Sequence, residues 1–363
     1  MLKFKKTLID PFNKCEACSV FDVDNDGISD IVSGEYWYRG PDFKTKYKIC
    51  DINYEGEYLW DFSDYPIDVN GNGYMDIITG NWWDDGLYWR ENPGCTDGTY
   101  LYDTKWKTHL AMKLTNVETI RYYDIDGCGK VEIFPNCPNE PAFFVKLKEG
   151  GIFEKHVIGE VNAGHGLGVG DIDGDGLSEV IVPAGIYKMK NKDPYCGIWE
   201  LSAEFNEGLT WSVPVLVHDV NGDGKQDIIA ANGHNYGLMW YEQIICADGK
   251  RTWKEHIIDG AWSQYHDIQL ADINGDGILE LITGKRFEAH NGNDPGDSGE
   301  VFTCYYTFRD GGLYRHIIDY GDPREGHSGV GIYFWLNDFN NNGYPDIVAP
   351  GKEGLYLFKN FGV

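Results

Sequence analysis

A short acidic segment recurs seven times along this chain, and this repetition constrains the fold more than any other feature of the sequence. Each copy follows the pattern D-x-[DN]-x-[DN]-G-x-x-[DE] or a close variant, and apolar residues that favour β-strands come after it. The copies are 46 to 66 residues apart and begin at Asp22, Asp68, Asp124, Asp171, Asp219, Asp272 and Asp338. A period of this length fits one four-stranded propeller blade. The sequence therefore predicts an all-β protein, a seven-bladed β-propeller of four-stranded blades that occupies residues 1–363 as a single domain.

A second recurring phrase predicts how the ring closes. An aromatic residue, two polar residues, Thr or His and an apolar pair recur late in several units, as at 153–158 and 253–258. The same phrase occurs at 4–10, before the first acidic segment, whereas 354–360 matches the middle of a unit. We therefore expect the N-terminal strand to join the last blade, which removes an exposed sheet edge. The histidines of this phrase are expected to be structural: His109, His156, His256 and His316.

The acidic segments have the composition of Ca²⁺-binding loops. Ca²⁺ takes about six to eight oxygen ligands, which alternate side chains of a tight loop can supply at one point. An EF-hand is excluded because it needs Glu at the twelfth position, where none of these segments has one. We predict structural Ca²⁺ at several sites, with these ligands: Asp22, Asp24, Asp26, Asp30, Asp68, Asn70, Asn72, Asp76, Asp171, Asp173, Asp175, Glu179, Asp219, Asn221, Asp223, Asp227, Asp272, Asn274, Asp276, Glu280, Asp338, Asn340, Asn342 and Asp346.

The seven segments differ in the ligands that they offer. Cys128 occupies the fifth position of the third segment, and we expect that site to be weak or empty because Ca²⁺ prefers oxygen. The segments that begin at Asp68 and Asp338 are rich in Asn and are expected to bind more loosely. The alternative for each segment is an Asx-turn without metal.

Charge and composition exclude several classes of partner. The chain has 58 acidic and 31 basic residues and a net charge of −27, which repels nucleic acids and anionic membranes. No apolar run approaches the roughly 18 residues of a membrane span, and no secretory signal follows the first residues. Nine cysteines without a disulfide pattern, and the absence of an Asn-x-Ser/Thr sequon, favour a reducing compartment. The sequence therefore predicts a cytoplasmic protein with no nucleic-acid partner and no membrane insertion.

Ionisable residues are predicted to gather on the face opposite the acidic loops. Each loop joins the innermost strand of a blade to the second strand, so the start of the inner strand lies on the other face. Four of the seven starting positions, six residues before each loop, are ionisable: Glu16, Glu118, His165 and His266. Second-strand ends and adjacent positions add polar residues: Glu35, Arg121, His234, Tyr265, Lys285, Arg286, His290 and Lys352. Such convergence predicts a pocket for a polar substrate, with Trp82 and Trp83 interpreted as blade packing.

Two kinds of chemistry fit these residues. His165 and His266, with Glu16 or Glu118, would bind a divalent metal such as Zn²⁺, Mg²⁺ or Ca²⁺ at the central mouth. Alternatively, a neutral histidine removes a proton beside a carbonyl or carboxylate while Arg121, Arg286 or Lys285 stabilises the enolate. Either arrangement, the metal site or the histidine base with its cation, is suited to β-elimination from a sugar. The candidates for catalysis are His165, His266, Arg121, Arg286, His234 and His290. The candidates for substrate binding are Glu16, Glu35, Glu118, Tyr265, Lys285 and Lys352.

The acidic segments resemble the FG-GAP repeats, also called VCBS repeats, of integrin-type and microbial seven-bladed propellers over nearly the whole chain. The segments 164–171, 263–267 and 289–296 further resemble the propeller domain of aldos-2-ulose dehydratases. The architecture is also similar to that of seven-bladed polysaccharide lyases. The resemblance implies a carbon–oxygen lyase with bound metal ions that acts on a keto-sugar or a uronic-acid unit. The alternatives are a non-catalytic glycan-binding propeller and a protein-interaction scaffold.

Removal of divalent cations tests the calcium prediction. Ions that bind only the folded state stabilise it, so a chelator should lower Tm by several degrees and added Ca²⁺ should restore it. Differential scanning calorimetry measures both effects. Asp171→Ala should reduce the effect of the chelator more than Asp124→Ala, because the third loop carries Cys128. An unchanged Tm in chelator would contradict the prediction.

Overall fold

A computed structural model describes residues 2–195, 197–205, 209–309 and 311–362. In these ranges seven four-stranded antiparallel sheets follow one another along the chain. The first strand of the first sheet contacts the first strands of the second and seventh sheets, as a closed ring requires. Each acidic loop joins the first strand of a sheet to its second. The predicted all-β, seven-bladed propeller is confirmed.

We number the blades one to seven in chain order and give their strands from the axis outward. Blade one contains Ser19–Phe21, Asp30–Ser33, Tyr36–Arg39 and Thr45–Lys48. Blade two contains Tyr65–Ile67, Asp76–Gly80, Leu87–Glu91 and Lys107–Met112. Blade three contains Thr119–Tyr123, Glu132–Asn136, Ala142–Lys148 and Ile152–Gly159. Blade four contains Gly168–Gly170, Glu179–Val182, Gly185–Met189 and Trp199–Ser202.

Blades five and six have the longest outer strands, and blade seven takes its outer strand from the N-terminus. Blade five contains Ser212–His218, Asp227–Ala231, Tyr236–Ile245 and Arg251–Ser263. Blade six contains Ile268–Ala271, Glu280–Gly284, Val301–Arg309 and Gly312–Gly321. Blade seven contains Trp335–Asn337, Asp346–Ala349, Leu355–Asn360 and Phe4–Asp10. Outside the blades, the described part of the chain also forms two short hairpins and two 3₁₀ turns: Tyr54–Glu55 with Tyr58–Leu59, Cys95–Thr96 with Thr99–Tyr100, Ala289–Asn291 and Pro323–Glu325.

The N-terminal strand closes the ring as predicted. Phe4–Asp10 pairs antiparallel with Leu355–Asn360 and so becomes the outer strand of blade seven. The carboxylate of Asp10 then accepts hydrogen bonds from the Tyr38 hydroxyl at 2.8 Å and from Lys46 Nζ at 2.6 Å, both in blade one. The first strand of the chain therefore connects the last blade to the first.

The hydrophobic core lies between neighbouring blades. Phe134 and Phe144 of blade three, for example, pack with Val180 and Tyr187 of blade four. The outer-strand histidines stack on aromatic residues of the third strand, with ring centroids 4.2 to 5.2 Å apart: His109 on Trp89, His156 on Phe144, His256 on Trp240 and His316 on Tyr305. These four rings thus serve packing within the blades.

The acidic loops are tight turns closed by their first aspartate. In blade four, the two carboxylate oxygens of Asp171 accept from the backbone N–H of Asp175 at 3.0 Å and of Gly176 at 2.9 Å. The ninth-position acid, Glu179, is buried at the start of the second strand, and burial raises its pKa to about 7. The positions for which we predict Ca²⁺ binding therefore lie at the ends of the inner strands, where they combine exposed and buried carboxyl groups.

Two further features bear on the sequence predictions. Among the described residues no helix has both the length and the apolar character needed to cross a membrane. The described cysteines are free thiols, as expected from the absence of a disulfide pattern. Cys196 lies outside the described residues.

Deletion of residues 2–10 tests the role of ring closure. The deletion exposes the edge of Leu355–Asn360, and we expect Tm to fall by roughly 5 °C or more because a whole paired strand is lost. An exposed edge also favours self-association, which light scattering after size exclusion detects. The control is Lys5→Ala, which keeps the strand. A truncated protein that stays monomeric with the parental Tm would refute this role.

Candidate functional site

Four side chains from four blades meet at the mouth opposite the acidic loops. Glu118, His165 and His266 lie just before the inner strands of blades three, four and six, and His234 follows the second strand of blade five. Glu118 is six residues before Asp124, where the acidic loop of blade three begins. At the rise of a β-strand this is about 20 Å. The cluster and the acidic loops are therefore on opposite faces of the ring.

The carboxylate of Glu118 is the centre of this cluster. Its Oε1 is 3.1 Å from Nε2 of His266 and 3.4 Å from Nε2 of His234, and its Oε2 is 3.6 Å from Nδ1 of His165. The contact with His266 has hydrogen-bond geometry. His266 is buried, whereas the side chains of His234 and His165 are 21% and 43% exposed. The three rings therefore extend from the protein interior to solvent around one carboxylate.

Burial and pairing fix the protonation states in the cluster. Burial alone raises the pKa of Glu118, but contacts with His165, His234 and His266 outweigh it and hold this pKa well below its ordinary value. Burial lowers the pKa of His266 to about 4, and its contact with Glu118 offsets only part of this shift. At neutral pH Glu118 is therefore ionised and His266 is neutral.

Asp294 links His234 to His290. Asp294 and His290 both lie on the loop after the second strand of blade six. Its Oδ2 is 3.2 Å from Nδ1 of His234, and its Oδ1 is 2.8 Å from Nδ1 of His290. Burial opposes ionisation of Asp294, but the two histidines lower its pKa to about 2. An ionised carboxylate only accepts hydrogen bonds, so each ring donates from Nδ1 and, when neutral, keeps a lone pair on Nε2. Asp294 therefore sets the tautomer of both rings.

A buried ion pair forms another wall of the mouth. Arg286 donates through Nε and Nη2 to the two carboxylate oxygens of Glu16 at 2.7 and 3.1 Å, and Nη2 also donates to the Tyr58 hydroxyl at 3.0 Å. Both charged groups are almost fully buried. Because both oxygens of Glu16 contact Arg286, Glu118 is the carboxylate that faces the histidines. Arg286 supplies a fixed positive charge beside them.

A cavity of about 390 Å³ lies over the cluster, and we call it the central cavity. It is lined by Glu55, Tyr58, Phe62, Trp82, Trp83, Glu118, His165, His234, Arg286, His290 and Asn291. The ring of Trp82 stacks at 6.0 Å from that of His165. Trp82 and Trp83 pack against Tyr58 and Phe62, in line with their interpretation as packing residues, and both half-buried indoles also line this cavity. The site thus combines titratable groups with an aromatic wall.

Two predicted site residues that are next to cluster residues in sequence pack against other parts of blade six. Tyr265, next to His266, is buried in the blade core with its hydroxyl 3.2 Å from that of Tyr306. Lys285, next to Arg286, donates to the backbone carbonyls of Ser298 and Glu300. Neither residue lines the central cavity.

Three other predicted residues lie beside or below the mouth. Arg121 is deeper in the ring, where it pairs with Asp267 at 3.0 Å, because it is three residues further along its strand than Glu118. Glu35 pairs with Lys48 within blade one at 3.1 Å. Lys352 lines a neighbouring cavity. The structure therefore brings together His165, His234, His266, His290, Glu118 and Arg286, with Glu16 behind Arg286.

Tyr58 and Asp294 contribute to the site but are absent from the sequence predictions. Tyr58 comes from the hairpin of Tyr54–Glu55 with Tyr58–Leu59, which lies between blades one and two and outside the repeat. Asp294 follows His290 by four residues, and this short spacing of His and Asp was the available signal. No repeat position marks either residue.

The sequence matches one known repeat family over part of its length. Residues 219–283 match the family model of the FG-GAP-like repeat. The matched segment begins at the acidic loop of blade five and ends in blade six, so the resemblance to FG-GAP repeats is confirmed there. No curated protein matches the sequence of this chain.

Several solved structures are similar to this chain at low sequence identity. BBS1N, from its complex with ARL6DN, is 11% identical with a TM-score of 0.55, and the match covers 98% of this chain and 94% of that chain. The rhamnogalacturonan lyase YesW is 12% identical with a TM-score of 0.45, covering 98% and 72%. The Photorhabdus luminescens Tc holotoxin pore is 12% identical with a TM-score of 0.37, and this chain spans 15% of that chain's length. At such identities the likeness to BBS1N shows the fold alone.

Asp294→Asn tests the coupling of His234 to its carboxylate partner. Burial lowers the pKa of His234, but Asp294 and Glu118 together raise it above its ordinary value. The asparagine side chain keeps a hydrogen-bond acceptor but carries no negative charge, so we expect the pKa of His234 to fall by about 1 or more. Histidine NMR titration measures it, with the exposed Asp42→Asn as control. An unchanged His234 pKa would show that the pair is not coupled.

Proposed function

We propose that this protein is a carbohydrate-active lyase or dehydratase that performs β-elimination on a keto-sugar or uronic-acid unit in the central cavity. One observation carries the proposal. Glu118, three histidines that surround it, and the buried Arg286 come from four blades, and all but His266 line one cavity with an aromatic wall. Elimination needs such a set, because a base and a fixed positive charge must lie beside the reacting atoms while a binding surface holds the sugar in place.

His290 is the best-placed base. Its side chain is 56% exposed and lines the cavity, and its Nδ1 is held by Asp294. The neutral ring therefore has a lone pair on Nε2 with which to take a proton. His165, which is also partly exposed, is the second candidate for proton transfer. The buried His266 contacts Glu118 and is assigned a positioning role.

The proposed reaction involves two proton transfers and moves two electron pairs. The base takes the proton from the carbon next to the carbonyl or carboxylate of the sugar, and the C–H electron pair forms the new C=C bond. The C–O bond at the neighbouring carbon breaks, and its oxygen leaves with that electron pair and is protonated by a histidine. Arg286, held by Glu16 and Tyr58, stabilises the negative charge that develops during proton removal.

The cluster also fits a divalent metal ion. Glu118, His165 and His234 offer ligand atoms within 4.8 Å of one another. The nitrogens that face Glu118, Nδ1 of His165 and Nε2 of His234, have no hydrogen-bond partner among the described residues. Two imidazoles and a carboxylate are a usual ligand set for catalytic Zn²⁺, and Asp294 behind His234 matches the outer carboxylate of such sites. A bound ion would polarise the substrate oxygen.

At the opposite face we propose structural Ca²⁺ in the acidic loops. In blade one, carboxylate oxygens of Asp22, Asp24 and Asp30 lie within 4.8 Å of one another. Like charges at this distance repel unless a cation lies between them. Divalent ions there would also reduce the net charge of −27. Their role would be to hold the loops and the strand ends in place.

Trp82 and Trp83 favour a second candidate function, non-catalytic glycan binding. Both indoles line the central cavity and are half-buried. Aromatic faces are suited to contact the apolar face of a sugar ring, and this needs no titratable group. In that case a sugar would bind without being changed.

A screen of keto-sugars and uronic-acid oligosaccharides, monitored by the ultraviolet absorbance of unsaturated products, separates the two functions. We expect His290→Ala and His165→Ala each to lower turnover by about 100-fold, the usual size of a general acid or base contribution. The matched control is His256→Ala, on the outer strand of blade five, which should keep full turnover. Binding without product in the parent protein would support glycan binding. Full turnover in both variants would refute the catalytic assignment.

A further inference from the structure

A second cavity of about 410 Å³, which we call the lateral cavity, adjoins the central one. The same two segments line both. In the hairpin, Glu55 lines the central cavity while Gly56 and Glu57 line the lateral one. In the loop of blade six, His290 lines the central cavity and Glu288 the lateral one. The hairpin and the loop of blade six therefore form the wall between the two cavities, and each contributes residues to both.

The ring of Tyr58 forms part of this wall. It lines the central cavity, where its hydroxyl contacts Arg286. Lys352, which lines the lateral cavity, places Nζ 3.9 Å from the centroid of the same ring. The two cavities are thus separated here by one aromatic ring.

Two ammonium groups at the lateral cavity donate to backbone carbonyls and form no ion pair with a described carboxylate. Lys14 Nζ donates to the backbone carbonyl of Lys352, and Lys352 Nζ donates to that of Glu288. Neither lysine forms an ion pair in the described ranges, although the chain has 58 acidic and 31 basic residues. Lys352 is only 3% exposed, and this burial lowers its pKa although the charges of Glu16, Glu57 and Glu288 oppose the shift without forming an ion pair with it. Each ammonium has three donors, so both retain capacity for an anionic ligand.

The rest of the lining fits the remainder of a sugar. Glu57 and Glu288 present carboxyl groups, which accept hydrogen bonds from hydroxyl groups. Tyr54 is an exposed aromatic residue at the edge of the cavity and offers a face to a sugar ring. The lateral cavity therefore combines carboxyl acceptors for hydroxyls, an aromatic surface and three basic side chains, of which Arg324 is already paired with Asp322.

We propose that the lateral cavity is a subsite for a second sugar unit, whose carboxylate is bound by Lys14 and Lys352. This inference rests on the proposed function and narrows the class of substrate. The substrate is an acidic oligosaccharide of at least two units, one held in each cavity. Lys14 and Lys352 contact only the second sugar unit and take no part in proton transfer. Their role is therefore to select substrates in which that unit carries a carboxylate.

Calorimetric binding to the His290→Ala variant tests the subsite without turnover. The probes are galacturonate, digalacturonate and neutral galactobiose, and glucuronate-containing disaccharides with their neutral counterparts. We expect an acidic disaccharide to bind at least ~10-fold more tightly than its neutral counterpart and than the monosaccharide, the factor that one charge-assisted hydrogen bond supplies. Raising the salt concentration should weaken this preference.

Lys352→Met, made in the same background, keeps an apolar stem over Tyr58 and should raise the Kd of the acidic disaccharide by about 10-fold. It should leave the Kd of the monosaccharide nearly unchanged. Lys14→Met provides a second variant if Lys352→Met fails to fold, and the exposed Lys44→Met is the control. Equal affinity for acidic and neutral disaccharides, no binding of any acidic disaccharide, or an unchanged Kd in the folded variants would overturn the subsite. Turnover by the parent protein is measured separately, so failure of the proposed reaction is distinguishable from failure of the subsite.

Discussion

The antiparallel pairing of Phe4–Asp10 with Leu355–Asn360 is the interaction on which the rest of the structure depends. It completes blade seven and so holds the ring closed. In a closed ring all inner strands surround one axis, and residues that begin these strands become neighbours whatever their distance in sequence. Glu118 and His266 form a hydrogen bond across 148 residues, and Glu16 and Arg286 pair across 270. An open row of blades would bring neither pair together.

Closure also creates the electrostatic character of the mouth. Charged groups near the axis lose water on all sides, which is unfavourable unless each has a partner. Arg286 is paired with Glu16, and Glu118 is surrounded by three histidines. The same burial makes His266 a neutral ring and keeps Glu118 ionised through its neighbours. A low-dielectric wall around fixed charges strengthens their effect on a bound substrate.

Much of this arrangement followed from the sequence. The acidic segments set the register of each blade, and counting back six residues located Glu118, His165 and His266 at the start of the inner strands. The same register did not predict which of the side chains at these positions point into the cluster. Tyr265 and Lys285 are next to residues of the cluster but lie outside it, because the Tyr265 hydroxyl is held near that of Tyr306 and Lys285 donates to the backbone carbonyl of Ser298.

The sequence by itself determined the blade number, the acidic loops, the closing strand and the face on which ionisable residues gather, because these depend on a pattern that repeats within each unit. Only the tertiary structure decided which side chains share a cavity. Tyr58 and Asp294 come from connections that follow no repeat, and their positions depend on packing against blades distant in sequence. The division into a central and a lateral cavity arises in the same way, because the hairpin and the loop of blade six meet only after the ring has closed.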